Sequence, residues 1–300
     1  MDARQLRYFL AVVDHGGFHR AAAHLIIAQP SLSQTIATLE CELGVPLFHR
    51  VGRKVVVSEA GRELIGPARL VLRDLELARS SVDAVRGVRS GRLDLTSMPS
   101  PGIEPLTTLI QRFTSLHPLV TLNVDGTFTP EEVIDAVKSG GCEIGLAGAR
   151  EPMRVAGVDV LAIEQQPLVL IVNPHADPFG PADSVGQEQL AGHRIIVSQQ
   201  GSLMRWLVDD VLAGGTECEI VVEIAHRTSI LPMVMSGVGH AVMPSSWSPL
   251  AHASGLRTLT ITPISVLHVA VLSRQRGPTP MAVAFLEVAR AYAADALSQR

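Results

Sequence analysis

The chain has 300 residues, 47% hydrophobic and 18% charged, which is the composition of packed domains and excludes a disordered chain. Three dispersed cysteines exclude a disulfide framework, no run of about 18 apolar residues offers a membrane span, and the start Met-Asp-Ala-Arg-Gln-Leu-Arg lacks a signal-peptide pattern; a cytoplasmic protein with no membrane partner is expected. The net charge of −4 would argue against nucleic acid if it were even, but residues 1–58 hold five Arg and one Lys against two Asp and two Glu, a net of +2, which leaves −6 on the remainder.

The first signal is two short helices with a polar turn between them. Ala21, Ala22 and Leu25 make one apolar face, and Leu32, Ile36, Leu39 and Leu43 recur at spacings of four, three and four on a second helix. Ile26 to Gln29 form the turn, Pro30 suits a first helical position, Ser31 or Gln29 can cap, and Gly44 ends the helix. This pattern predicts a helix-turn-helix. Its outer face carries Ser31, Ser33, Gln34, Thr35 and Thr38, side chains that can meet base edges in a major groove. Phe48 to Ser58 reads as a hairpin wing whose Arg50, Arg53 and Lys54 suit phosphates, with Arg20 and Gln29 completing the candidate contacts. The competing reading is an ordinary polar helix face with solvated charges. Cys41, on the second helix, reads as a small buried hydrophobe.

Next, Leu64, Ala68, Val71, Leu75, Ala78, Val82 and Val85 follow alternating spacings of four and three, the seam of a coiled coil, and imply a second copy of the chain. An amphipathic helix packed on its own domain is the alternative. Pro67 removes one backbone bond and should bend the helix.

From Gly91 the texture becomes alternating strand and helix, which predicts an α/β fold with a doubly wound parallel sheet. Strands are expected at 93–97, 120–124, 143–148, 167–173, 194–198, 219–224, 240–243 and 265–273. Helices are expected at 103–117, 131–139, 203–213, 229–236 and 281–299, the last returning to the first lobe. In such folds small ligands sit at the carboxyl ends of strands, beside helix N-termini. That nominates Ser97, Ser100, Thr127, Thr129, Arg150, Gln200, Gly201, Ser202, Arg227 and Thr228 around one cleft, with Arg150 or Arg227 forking the carboxylate of a small effector. Each Ser or Thr could instead be only a helix cap, and Arg227 only a surface charge.

Enzyme motifs are missing: there is no nucleophile elbow, P-loop, HExxH pair or dinucleotide fingerprint. No cofactor and no metal is expected. His15, His19 and His24 lack accompanying cysteines for zinc, and Cys142 and Cys218 should fall in different lobes, which disfavours a redox pair.

Here the chain resembles the LysR-type transcriptional regulators. The matching residues are Leu6-Arg7-Tyr8-Phe9, Phe18 with Arg20-Ala21-Ala22, Ala28-Gln29-Pro30-Ser31-Leu32-Ser33, Ile36 with Leu39-Glu40, Leu43-Gly44-Val45-Pro46-Leu47-Phe48 with Arg50, and Ser58-Glu59-Ala60-Gly61. Gln34-Thr35 and Thr38 stand where family members often carry Arg. The resemblance implies a winged helix-turn-helix DNA-binding domain at 1–58, a linker and dimerisation helix at 59–89, and a two-lobed, periplasmic-binding-protein-like effector domain at 91–300. Lobe I is expected at about 91–162 and 266–300, and lobe II at about 163–265. It implies an inducer pocket with Ser100, Thr127 and Ser202, promoter DNA as partner, RNA polymerase as a candidate further partner, and dimers assembling to a homotetramer. A cytoplasmic solute-binding sensor and an enzyme using the α/β cleft are the alternatives.

Overall fold

The computed structural model describes residues 1–52, 54–85, 91–200, 202–213, 218–275 and 277–298. The first five elements are α1 (Ala3–Asp14), α2 (Phe18–Leu25), α3 (Gln29–Leu43) and the strands β1 (Phe48–Val51) and β2 (Lys54–Val57). Asp2 and Gln5 form a reciprocal capping box that starts α1. Leu6, Phe9, Ala21, Leu32, Ile36, Leu39 and Leu47 close a core among the three helices and the wing. Burial follows the expected stripe through Leu39, but Leu43 is exposed, and so is Cys41, contrary to the sequence reading. Neither Ser31 nor Gln29 caps α3. Ala28 holds the cap position without a side-chain bond, and Pro30 in the first turn brings no amide that needs one. Glu40 Oε1 accepts the amides of Leu47 and Phe48, fixing where the wing begins.

β1 and β2 pair antiparallel, with Val51 opposite Lys54; Gly52, just after β1, has φ +61°. Arg53 lies outside the described residues, and only the backbone of Arg50 is described.

α4 (Glu59–Val85) follows Ser58, whose hydroxyl accepts the Gly61 amide and donates to Pro46. It is helical on both sides of Pro67. The regular apolar stripe divides: Leu64 and Ala68 pack into the head core beside Leu72, whereas Val71 and Leu75 are 44% and 43% exposed and Ala78 is exposed. Side chains of Val82 and Val85 lie outside the described set.

Beyond it come β3 (Gly91–Ser97), α5 (Pro99–Ile103), α6 (Leu106–Leu116), β4 (Val120–Gly126), α7 (Pro130–Lys138), β5 (Ile144–Ala149), β6 (Val158–Val172), β7 (Ser184–Gly186), β8 (Arg194–Ser198), α8 (Leu203–Leu212), β9 (Glu219–Ile224), α9 (Ile230–Met235), β10 (His240–Pro244), α10 (Ser248–Ala253), β11 (Arg257–Thr262), β12 (Val266–Arg274) and α11 (Pro280–Ser298). The strand order is β4-β3-β5-β12-β6-β10-β8-β9, with β11 pairing β6 and β7. β3 runs parallel to β4 and β5, and β8 runs parallel to β9 and β10, as expected. The spine does not: β12 is antiparallel to β5 and β6, and β6 is antiparallel to β10 and β11. The sheet is therefore mixed, not wholly parallel.

β6 makes the two lobes. Its residues 158–167 pair with β12 and its residues 168–172 with β10 and β11. Phe113 and Phe285 fill one face of the first lobe's sheet, and Val133 and Val137 of α7 the other. In the second lobe Val208 and Val211 of α8 cover one face and Trp247, Ile230 and Val234 the other. The helix expected at 103–117 is α6, which starts only at Leu106 because proline disfavours helical backbone at Glu104 before it; the short α5 ahead of it is not among the expected elements.

Ile26 sits in the helix-turn-helix turn at φ +55° and is 91% exposed. A β-branched residue is disfavoured there, and no packing offsets it. Ile26→Asn should stabilise the head by about 1 kcal/mol, read as a higher midpoint of thermal unfolding; a lower midpoint would show that Ile26 makes a stabilising contact.

Candidate nucleic-acid face and interlobe site

α3 presents its polar face outward because Leu32, Ile36 and Leu39 take the inward positions. Ser31, Gln34 and Thr38 are exposed, Ser33 and Thr35 half-buried. The two threonine hydroxyls are committed: Thr35 Oγ1 donates to Ser31 O at 2.9 Å and Thr38 Oγ1 to Gln34 O at 3.0 Å. They offer lone pairs and methyl groups outward, while Gln34 keeps both its amide donor and its acceptor. Arg20, Gln29 and Lys54 line one groove with His19, Gly52 and Val55, so the turn, the second helix and the wing meet there. Ser33 and Gln34 line a neighbouring groove with Phe18, Phe48 and Val55. Arg20 Nη2 donates to Gly16 O at 2.8 Å, which holds the guanidinium over the α1–α2 turn. His19 was not singled out for this groove; only the fold brings it beside Lys54.

The second site lies where β6 crosses between lobes. β10 ends beside this crossing, with Pro244 opposite Leu168, and the turn that follows, Ser245–Trp247, packs against α5. Ser100 of α5 is buried, and its hydroxyl accepts a hydrogen bond from Arg227 Nη1 at 3.0 Å across the lobe boundary. Arg227 is 8% exposed and pairs with no carboxylate among the described residues; burial pulls its pKa down to about 10. The sequence alternative of a surface charge does not hold for it. Ser97 is buried and donates to Met98 O, and Thr127 stands 3.4 Å from Thr96 Oγ1. Three further polar atoms near the strand ends are buried without partners: Ser198 Oγ, Ser246 Oγ and Trp247 Nε1. Sequence reasoning missed them, since Ser198 reads as a strand residue and Ser246-Trp247 follow a strand end in an uncharged Pro-Ser-Ser-Trp run.

Other expected residues have different employment. Thr129 forms a capping box with Glu132 at the start of α7. Arg150 is 56% exposed and pairs with Asp210 of α8 at 2.6 Å, so its charge ties the lobes together. Ser202 caps α8 through the Arg205 amide, Gln200 is exposed with its own amide on Glu223, and Thr228 is exposed. Gly201 lies outside the described residues. Arg205, buried, bonds both Asp209 and Glu223 and so braces the loop that carries Gln200; the Gln200 amide and then Arg205 hold the Glu223 carboxyl below its ordinary range.

Among the described residues no three His, Cys, Asp or Glu side chains are placed to hold a metal, and no helix is long and apolar enough to cross a membrane. Cys142 and Cys218 are free and belong to different lobes; burial pushes the Cys142 thiol up to about 12, which removes its nucleophilic form at neutral pH.

A winged helix-turn-helix joined by a long helix to a two-lobed α/β domain defines a one-component DNA-binding regulator. The sequence profile described as "Bacterial regulatory helix-turn-helix protein, lysR family" matches residues 3–62, and that of the "LysR substrate binding domain" matches residues 86–294. The chain belongs to the LysR family of transcriptional regulators, with a DNA-binding head and an effector-binding domain. Relatives include the nitrogen assimilation regulatory protein nac of Escherichia coli, 30% identical over 82% of this chain and 79% of that protein. The HTH-type transcriptional regulator TcbR of a Pseudomonas species is 27% identical over 98% of this chain and all of its own. Among solved structures, full-length OxyR from Pseudomonas aeruginosa superposes with a TM-score of 0.76 at 23% identity, covering 97% and 95% of the two chains. Full-length CbnR complexed with its target DNA gives 0.69 at 23% identity, covering 97% and 100%. These relatives are regulators, and the chain is not an enzyme.

Proposed function

We propose that this regulator, acting in the cytoplasm, is controlled by a small anionic effector, in particular a carboxylate, held between the lobes. The observation that carries this reading is Arg227: a guanidinium buried at the lobe boundary, bonded to a neutral serine and to no acid among the described residues. A buried cation without a counter-charge is costly, and an incoming carboxylate would supply one in a bidentate bond. Ser97, Ser100, Thr127 and the unpartnered Ser198, Ser246 and Trp247 polar atoms are the further groups that would recognise such a ligand. Arg150, Thr129, Gln200, Ser202 and Thr228 then border the site, and the first two serve its frame through Asp210 and the α7 cap.

The head at 1–58 reads promoter DNA, α4 pairs two chains, and the lobes occupy 91–300. Ser33, Gln34 and Thr35 face bases, with Ser31 and Thr38 flanking them, while Arg20, Gln29, Arg50, Arg53 and Lys54 hold phosphates. Val71 and Leu75 offer one unpaired apolar face for pairing two chains, and a tetramer would be built as a pair of such dimers. RNA polymerase would be met at the promoter by the assembled complex.

The effector reading is tested by thermal unfolding of the full chain against small aliphatic and aromatic carboxylates, amino acids and sugar phosphates. A ligand at a hundredfold its Kd stabilises by about 2.7 kcal/mol, and Arg227→Met should abolish that shift while leaving DNA binding in place. No shift with any carboxylate, or one that Arg227→Met retains, contradicts it. For the head, Gln34→Ala should cost about 1–3 kcal/mol at one base position only, whereas Lys54→Ala should weaken all duplexes alike and reduce the salt slope by about 1. Equal losses on selected and scrambled duplexes for both variants would contradict the division.

A further inference from the structure

We infer that Arg73 is the residue by which the effector-binding domain grips α4 of its own chain, and that this grip, formed and released as a unit, carries the state of the lobes to the DNA-binding head. The second clause rests on the regulatory reading above; the grip itself does not.

The receiving surface is the segment Ser139-Gly140-Gly141-Cys142-Glu143 between α7 and β5. Gly140 has φ +72°, and a Cβ there would stand 2.8 Å from Leu70 Cδ2; one at Gly141 would stand 3.0 Å from Arg69 Nη1. The adjacent glycines thus form a saddle on which α4 lies, and a side chain at either would have to displace Leu70 or Arg69 of the helix. One helical turn further along, Arg73 follows Arg69 and Leu70 on the same face; its charge acts on Cys142 and Glu143, although no ion pair joins it to Glu143 among the described residues. Arg73 is 9% exposed, and its Nη1 is buried with no hydrogen-bond partner. Glu143 is buried and its Oε1 also lacks one. Burial holds the Glu143 carboxyl above its ordinary range, while Thr279 and the Arg73 charge pull it back. The Glu143 amide donates to Asp94 O at 2.9 Å, which ties the segment to β3 of the first lobe. At the far end, Leu77 lies 3.6 Å from where a Gly277 Cβ would stand, just before α11.

The same two turns of α4 also hold the head. Ala68 and Leu72 pack in its core, and Arg69 Nη2 pairs with Asp14 of α1 at 2.6 Å. Head and lobe therefore share one rigid stretch of helix. Bringing only one of Arg73 and Glu143 into water leaves the other buried without a counter-charge, whereas releasing both together does not, which favours two arrangements over a continuum. An effector that shifts the first lobe biases which is populated.

The test uses the full chain carrying Gly66→Cys and Ser139→Cys. A Cβ at Gly66 would lie 3.8 Å from Ser139 Cβ, normal disulfide geometry. In oxidised glutathione the 66–139 bond should close within the chain, identified by peptide mapping. Adding Arg73→Met, or the isosteric Glu143→Gln should Arg73→Met fail to fold, should slow closure at least about tenfold. The double variant should be no slower than either single one, and Arg73→Lys should restore part of the rate. Closing the disulfide should change affinity for a duplex selected from random sequence by the wild-type chain, and reduction should restore it. Failure of the bond to form, closure unaffected by either substitution, or purely additive effects would overturn the grip. A closed bond that leaves duplex affinity unchanged would overturn its role in signalling. None of these outcomes depends on whether a carboxylate binds near Arg227.

Discussion

α4 must satisfy three neighbours on one cylinder of 27 residues, about 40 Å long. Leu64, Ala68 and Leu72 belong to the head core, Leu70 lies on Gly140 of the effector domain, and Val71 and Leu75 face away from both. A helix has room for this because residues one or two apart point in different directions. The consequence is mechanical. Any shift of the helix relative to one neighbour is felt by the others, so the head, the lobes and a chain paired on Val71 and Leu75 as proposed could not be repositioned independently. Proteins that bind DNA with a modest charge, here +2 on residues 1–58, depend on presenting two heads at fixed spacing, because one head offers few phosphate contacts.

The lobe boundary obeys the opposite logic. Core positions of both lobes are filled by Leu, Ile, Val and Phe, whereas the crossing at β6 collects Ser97, Ser100, Arg227, Ser198, Ser246 and Trp247. Burying polar atoms without partners lowers stability. Ser198, Ser246 and Trp247 leave polar atoms open there, and in the proposed reading a ligand would satisfy them. The braces around it are in contrast fully engaged: Arg205 with Asp209 and Glu223, and Arg150 with Asp210. The distinction between Arg150, paired with Asp210, and Arg227, buried without an acid among the described residues, is visible only in three dimensions, since the two look alike in sequence.

Much of the fold is legible in the chain. Short-range rules locate α2, α3, the wing and the parallel strands, because periodicity, proline and glycine act within a few residues. The spine is less legible. β6 is 15 residues long, and its first half, Val-Asp-Val-Leu-Ala-Ile-Glu-Gln, has no regular alternation of polar and apolar residues and gains its pairing only when β12 returns from a hundred residues away. Antiparallel pairing over such a distance leaves no local trace. The same holds for α4, where a regular four-three stripe reads as one seam although the head core takes Leu64 and Ala68 and leaves Val71 and Leu75. At the interlobe site the residues bordering the cleft follow from strand ends, but caps such as Thr129 and Ser202 use the same chemistry as ligand contacts, and only geometry separates them.

The most direct test of α4 as the element that unites two heads is sedimentation of the full chain and of Leu75→Asp, each alone and with a selected duplex. Leu75 contributes to neither the described head core nor the saddle, so a buried partner is its remaining employment. The wild-type chain should sediment as an even-numbered oligomer, while Leu75→Asp should form smaller species that lose the selected duplex first and keep weak, salt-sensitive binding. A wild-type monomer, or a Leu75→Asp chain with unchanged mass and unchanged affinity, would contradict the account.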